Sequence, residues 1–208
     1  MKLAVTLLAC ALTTTLLADD APAHIDARMM QMPAVSKTQI AFIYAGDIWI
    51  APKTGGAAVR LSTPRGAESF PRFSPDGTRL AFSGNYDGNA DVYVMPAAGG
   101  EPRRITHHGA NDRLLGWYPD GQSLLFASHM MSFTDRAAQL FKVSASGGLP
   151  EKLPVPYGEF GAISPDGKLL AYTPISTDFA TWKRYRRHGA GRVAFRSGEK
   201  DGGEHHAE

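Results

Sequence analysis

The sequence predicts an all-β protein, a partial β-propeller built of four-stranded antiparallel blades, and an internal repeat carries this prediction. A Pro-Asp-Gly string occurs three times, and its prolines, Pro75, Pro119 and Pro165, are 44 and 46 residues apart. Short apolar runs follow at matching places in each unit, without a sustained helical period. Several short strands per repeat of this length are typical of propeller blades. A β-sandwich with accidental similarity is the alternative.

Three landmarks keep the same order in each unit. In the clearest unit the turn string at residues 73–77 precedes predicted strands at residues 79–82, 91–94 and 102–106, and Gly99-Gly100 separates the last two. The proline restricts φ in the turn, the Asp-Gly pair tolerates a tight reversal, and Gly-Gly supplies positive φ between strands. The same landmarks recur one unit later, with predicted strands at residues 123–126, 139–142 and 150–153.

The repeats extend over residues 33–186, although the first and last units are incomplete. An earlier, degenerate copy contains predicted strands at residues 39–42 and 47–50. The last copy keeps the strand at residues 169–172, but no strand of the form Asp-Val-Trp follows Arg186. We therefore expect the strand at residues 169–172 to end the fold with an unpaired edge.

Residues 187–208 interrupt the repeat and are predicted to be an aberrant, disordered tail. Residues 183–208 contain seven Lys or Arg and four Asp or Glu, and neither a strand period nor an apolar stripe is visible. A frameshift explains this tail, because permitted codons for residues 187–200, read in a shifted frame, supply Asp-Val-Trp-Leu-Phe-Asp where the missing strand is expected. The alternative is a genuine basic tail that binds an anionic partner.

The N-terminus has the pattern of a signal peptide at residues 1–18, followed by a linker at residues 19–32. A lysine precedes an apolar, uncharged run at residues 3–17, and Ala18 stands before an Asp-Asp pair. These features predict export, to the periplasm, with no membrane span after cleavage. An uncleaved anchor, a buried helix and lipid attachment at Cys10 are the alternatives.

The unit at residues 73–106 resembles the propeller repeat that TolB and tricorn-type peptidases share. Two further segments are similar to tricorn-like serine peptidases, namely Tyr-Ala-Gly-Asp-Ile-Trp-Ile at residues 44–50 and Thr-Trp-Lys-Arg-Tyr-Arg at residues 181–186. TolB would place an α/β domain before its propeller, where this sequence has the predicted leader and linker. The resemblance therefore favours the tricorn type.

This resemblance implies the N-terminal propeller of an exported tricorn-like serine peptidase, truncated after about three and a half of six expected blades. Such peptidases continue into further β domains and a C-terminal peptidase region, and their propeller is expected to filter or guide peptides. The chain would then be inactive alone. Its partners would be peptides or the missing peptidase domains, with a homo-oligomer as a further option in the full-length family. The alternative is a TolB-type periplasmic propeller that acts as a protein-interaction module.

No catalytic, cofactor-binding or metal-ligating residues are predicted, since the sequence contains no nucleophile elbow, phosphate loop or HExxH string. Residues 87–91 resemble the start of a calcium loop but fit a hairpin turn better. His107 and His108 are predicted to lie in a solvated turn, and the Glu-His-His at residues 204–206 falls in the aberrant tail. The basic run at residues 183–187 is too short, on a chain of net charge +2, to predict a nucleic-acid partner.

Overall fold

The computed structural model describes residues 29–62, 66–132 and 138–173, together with the backbone of residues 193–196, and it contains four antiparallel β-sheets. Three sheets have four strands and the last has three, and in each sheet the strands are neighbours in chain order. The described residues contain no helix. This arrangement confirms the predicted all-β fold of a partial propeller.

Each sheet is one blade, and the blades are numbered along the chain. Blade 1 consists of β1 (Gln31–Val35), β2 (Gln39–Tyr44), β3 (Asp47–Pro52) and β4 (Val59–Arg60). Blade 2 consists of β5 (Ala67–Phe73), β6 (Arg79–Asn85), β7 (Ala90–Pro96) and β8 (Arg103–Arg104). Blade 3 consists of β9 (Asp112–Trp117), β10 (Ser123–Ser128), β11 (Gln139–Ser144) and β12 (Glu151–Lys152). Blade 4 consists of β13 (Phe160–Ile163), β14 (Leu169–Thr173) and β15 (Val193–Arg196).

The recurring turn string has a local physical cause. The Gly77 N–H donates to the Ser74 carbonyl over 2.8 Å, and Gly77 adopts a φ of 73°, as the predicted tight turn requires. Asp76 accepts hydrogen bonds from the Ser74 hydroxyl over 2.5 Å and the Thr78 N–H over 3.1 Å. These bonds, the one from Ser74 above all, lower the pKa of the Asp76 carboxyl to about 2. The string recurs because each blade needs the same reversal between its first and second strands.

The sequence analysis missed the first strand of each blade, which precedes the turn string. The strands predicted at residues 79–82, 91–94 and 102–106 correspond to β6, β7 and β8, and β5 before them was not assigned. The pattern of β5 is masked by Pro71 and by a bulge at Phe70, whose φ is 53°. A proline is tolerated here because β5 pairs with β6 on one edge only.

The first strands of successive blades lie side by side. β1 contacts β5, β5 contacts β9, and β9 contacts β13. In a propeller the first strands surround the central channel. These four strands are therefore the described part of the channel wall.

The hydrophobic core lies between the blades. Side chains alternate along a strand, so Leu80 and Phe82 of β6 pack on blade 1, while Ala81 between them packs on blade 3. Blades 2 and 3 join through a larger cluster that includes Leu124 and Phe126 of β10. Because both faces of an inner blade are buried, the middle of β6 and of β10 is a run of apolar residues that does not alternate with polar ones.

The expectation of an unpaired edge in blade 4 is wrong. β14 pairs with β15, and Leu170 of β14 lies opposite Phe195. Val193–Arg196 thus occupies the position of the third strand that the sequence analysis considered missing, and the expected disorder is also wrong for these four residues. The predicted signal peptide, residues 181–186 and the rest of the tail lie outside the described residues.

We predict that Leu124→Ala lowers the free energy of unfolding by about 2–5 kcal/mol, because a fully buried leucine leaves a cavity between two blades. Leu149→Ala is the matched control, since Leu149 is 97% exposed and its truncation should cost within about 0.5 kcal/mol. Denaturant unfolding followed by tryptophan fluorescence measures both. Equal stabilities for the two variants would contradict the inter-blade core.

Candidate functional site at the first strands

A carboxylate stands at the start of the first strand in three blades. Glu68, Asp112 and Glu159 occupy this place in blades 2, 3 and 4, and they are 44 and 47 residues apart. All three side chains are buried. A buried carboxylate is costly unless it is paired or hydrogen bonded, so this recurring position has a definite role.

Glu68 connects blade 2 to blade 1. Its Oε2 accepts hydrogen bonds from the Ser62 hydroxyl over 2.7 Å and the Ile48 N–H over 3.2 Å, both in blade 1. Its Oε1 accepts one from the Tyr86 hydroxyl over 2.8 Å. Burial raises the pKa of Glu68, although the bonds from Ser62 and Tyr86 oppose the rise. This carboxylate is therefore a structural clamp between consecutive blades.

Asp112 takes the equivalent place between blades 3 and 2. Its Oδ2 lies 3.1 Å from Nε2 of His108. Burial raises the pKa of the Asp112 carboxyl from its ordinary 3.8 to about 6, and the neighbouring hydroxyls of Thr106 and Ser128 and the His108 side chain lower it by less. Thr106 takes the place that Ser62 has one blade earlier, because Thr106 Oγ1 accepts the N–H of Val92 over 2.9 Å, as Ser62 Oγ accepts the N–H of Ile48 over 3.0 Å.

Glu159 differs from Glu68 in its surroundings. Its Oε1 accepts the Ala138 N–H of blade 3 over 3.1 Å, so it also bridges two blades. Two cationic or protonatable groups stand near it beyond hydrogen-bond range. Arg113 Nη1 is 3.8 Å from Oε2, and His129 Nε2 is 3.9 Å from Oε1.

A cavity of about 290 Å³ lies beside these groups, where blades 2, 3 and 4 meet. Three alanines, Ala90, Ala127 and Ala138, line it together with the polar side chains of Arg113, His129 and Glu159 and several neighbours. We call this cavity the inner pocket.

Two aromatic rings hold the guanidinium of Arg113 at the inner pocket. Its central carbon lies 5.3 Å from the ring centre of Phe70 and 4.9 Å from that of Phe160, so rings from blades 2 and 4 flank a side chain of blade 3. Arg113 Nη1 and His129 Nε2 are buried and have no hydrogen-bond partner among the described residues. The Arg113 guanidinium can therefore donate a hydrogen bond to a ligand, and so can His129 when Nε2 carries the ring proton, next to a carboxylate that can accept one.

The structure locates some of the candidates from the sequence. Residues 87–89 form the predicted hairpin turn between β6 and β7, and Asn89 Nδ2 there donates to Asp91 Oδ2 over 3.1 Å. The prediction for His108 is wrong, because this residue is half-buried and paired with Asp112, whereas His107 is exposed. Residues 183–187 and 204–206 lie outside the described residues.

Within the described ranges, no group of three or more His, Cys, Asp or Glu side chains is placed to hold a metal ion. The same part of the chain contains no helix that is long and apolar enough to cross a membrane.

The inner pocket was not predicted from the sequence, because the first strands that form it were not predicted. Glu68, Asp112 and Glu159 recur with the period of the turn string, and this spacing was the signal that could have revealed them. Arg113 had no such signal, since β5 has Ser69 and β13 has Phe160 at the matching positions.

A family model for the tricorn protease N-terminal beta propeller domain matches residues 27–204. The chain belongs to this family. It is 35% identical over 157 residues to tricorn protease homolog 1 of Streptomyces coelicolor, covering 74% of this chain and 14% of that relative. It is 26% identical over 159 residues to a protein of Sulfurisphaera tokodaii named as a tricorn-like protease N-terminal subunit, covering 74% of this chain and 79% of that relative.

Solved structures show the same propeller fold. The tricorn protease structure superposes with a TM-score of 0.61 and 21% identity, over 69% of this chain and 15% of that chain. A TolB-like protein of Agrobacterium tumefaciens superposes with a TM-score of 0.63 and 19% identity, over 80% of this chain and 57% of that chain. This tricorn-family propeller thus spans a small part of the tricorn proteases that it matches.

We predict that Asp112 makes the protein less stable as the pH rises from about 4 to about 6. The carboxyl has a pKa of about 6 in the folded state against an ordinary 3.8, so in this range the folded state binds more protons than the unfolded state. Asp112→Asn should remove this decline, as measured by denaturant unfolding at a series of pH values.

Asp76→Asn is the control for this pH series. The pKa of Asp76 is lowered to about 2, so this exposed carboxyl affects stability only below about pH 4, where its contribution is lost as the pH falls. An Asp112→Asn variant that keeps the decline between pH 4 and 6 would contradict the assignment.

Proposed function

We propose that this chain is the non-catalytic propeller of an exported tricorn-like serine peptidase, and that its channel wall guides peptides towards a peptidase region elsewhere. The observation that carries the proposal is the inner pocket. It places the Arg113 guanidinium, the Glu159 carboxylate and two aromatic rings at the first strands of three adjacent blades, with His129 directly after β10. A channel that peptides pass needs such groups on its wall, since peptide bonds carry a donor and an acceptor each.

The relatives support a separation of the propeller and the peptidase region into different parts of a protein or different subunits. The Streptomyces relative is a tricorn protease homologue of which this chain covers 14%, so most of that protein has no counterpart here. The Sulfurisphaera relative is matched over 79% of its length and is named as an N-terminal subunit. Both findings suit a part that works with a peptidase region and has no peptidase chemistry of its own.

The chemistry of the described residues also suits a non-catalytic role. His108 faces Asp112, and His129 faces Glu159, so each half-buried histidine is directed at a carboxylate that bridges two blades. In the Ser-His-Asp triad of a serine peptidase, histidine Nδ1 faces the carboxylate and Nε2 faces the serine hydroxyl, whereas in both pairs here Nε2 is the nitrogen that faces the carboxylate.

A second candidate is a TolB-type protein-interaction module. The TolB-like structure covers 80% of this chain, a larger share than the 69% covered by the tricorn protease structure. An interaction module would use its rims or outer strands and would not require peptides in the channel.

We predict that an unstructured peptide carrying a benzophenone group cross-links to the first strands and is recovered uncleaved. Mass spectrometry of the digested adduct should find the label on β5, β9 and β13, where the inner pocket lies, and not on the outermost strands β8 and β12. The control is the same peptide without irradiation. Labels confined to β8 and β12 would support the interaction module, and inhibitor-sensitive cleavage by a homogeneous sample would contradict the non-catalytic role.

We predict that residues 1–32, fused to alkaline phosphatase, direct the enzyme out of the cytoplasm of a Gram-negative host and make it active. Leu8→Arg should abolish this activity, since it places a charge in the apolar run that export requires. Gln31→Arg introduces the same residue after that run and should leave the activity unchanged. An active Leu8→Arg fusion would argue against a signal peptide.

A further inference from the structure

We propose that the inner pocket binds one uncharged residue of a peptide, whose main-chain carbonyl accepts hydrogen bonds from Arg113 and His129. This inference rests on the proposed guidance of peptides and names the chemistry that the channel wall recognises. The side chain of the bound residue lies against Ala90, Ala127 and Ala138.

The inner pocket lies where the contact between consecutive blades differs from the contact between blades 1 and 2. At the junction of blades 1 and 2, the two oxygens of Glu68 accept bonds from Ser62, Ile48 and Tyr86, and the clamp is closed. At the junction of blades 3 and 4, Arg113 and His129 stand 3.8 and 3.9 Å from Glu159, too far for hydrogen bonds. Two donors and an open volume therefore take the place of a closed contact.

Aromatic rings hold Arg113 in position, but its Nη1 has no hydrogen-bond partner among the described residues. The rings of Phe70 and Phe160 flank its guanidinium, which restricts the side chain and leaves donors at the edge of the planar group free. Nη1 is buried without a hydrogen-bond partner among the described residues. A buried donor without an acceptor is costly, so a carbonyl oxygen in the pocket recovers free energy that the empty site lacks.

Local charge favours a neutral ligand over a carboxylate. Glu159 and Asp112 both line the pocket and both are buried. Among the described lining residues, Arg113 is the one permanently charged cation. A ligand carboxylate would meet a like charge at Glu159, and like charges at short range are repulsive in a partly desolvated site. A peptide carbonyl provides an acceptor without adding charge.

The size and lining of the pocket limit the ligand to one residue. Its volume of about 290 Å³ lies at the lower end of the roughly 300–1,000 Å³ typical of small-molecule sites. The three alanine methyl groups supply apolar surface to the same pocket as Arg113 and His129. The pocket thus offers a partner for a carbonyl together with an apolar lining for a side chain.

The experiment titrates the full 208-residue chain, labelled with ¹³C at alanine methyl groups, with two probes that differ only in the C-terminal group, which is an uncharged amide in one and a carboxylate in the other. These are N-acetyl-leucine amide and N-acetyl-leucine with a free carboxylate. The amide should shift the methyl signals of Ala90, Ala127 and Ala138, and the free acid should bind at least about tenfold more weakly.

Variants locate the donors. Arg113→Met should weaken amide binding by about tenfold or more, because a charge-assisted hydrogen bond is lost. Arg113→Lys, which keeps the charge but loses the planar donor group, should also weaken it and serves if the methionine variant fails to fold. Arg60→Met, at an arginine outside the pocket whose side chain is 51% exposed, should bind as the wild type does. Glu159→Gln should raise the affinity for the free acid towards that for the amide.

Four results would overturn the pocket as a peptide site. They are the absence of alanine shifts with the amide, tighter binding of the free acid, unchanged amide binding in both Arg113 variants, and no gain for the free acid in Glu159→Gln. Cross-linking of an unstructured peptide to the first strands is independent of these results. It would leave the proposed guidance of peptides intact even if the pocket failed.

Discussion

Burial of whole sheet faces against neighbouring sheets holds this protein together. A blade of four short strands cannot form a core alone, and the clusters that contain Leu80, Phe82, Leu124 and Phe126 all lie between blades. This requirement makes the middle of β6 and of β10 apolar on both faces, whereas charged residues are found in the turns, the first strands and the outermost strands such as β8 and β12. The functional surface is therefore restricted to the channel wall, the rims and the outer edges.

Polar clamps between consecutive blades add hydrogen bonds to this apolar packing. Glu68 and Glu159 each belong to one blade and accept a main-chain N–H from the blade before it. The same position supports two outcomes, depending on its neighbours. Where Ser62 and Tyr86 complete the bonds, the junction is closed, and where Arg113 and His129 remain at a distance, a pocket results. One copy of a repeated contact is thus left incomplete, and it is there that we propose a peptide residue binds.

The fold was largely predictable, because turns depend on local chemistry. The strings around Pro75, Pro119 and Pro165 revealed the period, and Gly77 has the conformation that the turn requires. The first strands were missed since Pro71 and the bulge obscure β5. The strand Val193–Arg196 was missed because its charged surroundings resemble a tail. The inner pocket could not be predicted, since it joins Phe70, Arg113 and Phe160 from three blades, and only tertiary packing brings them together.

Each clamp joins a carboxylate to groups that come earlier in the chain, and this order matters while the protein is being synthesised. The Ser62 hydroxyl and the Ile48 amide of blade 1 receive their carboxylate partner only after the ribosome has released Glu68. The same delay applies to Ala138, which waits for Glu159. A nascent chain therefore always carries one blade whose last polar contacts are unmade. The same order holds for a chain that emerges N-terminus first across a membrane, so blades 1 and 3 each complete their polar contacts only when the next blade has emerged.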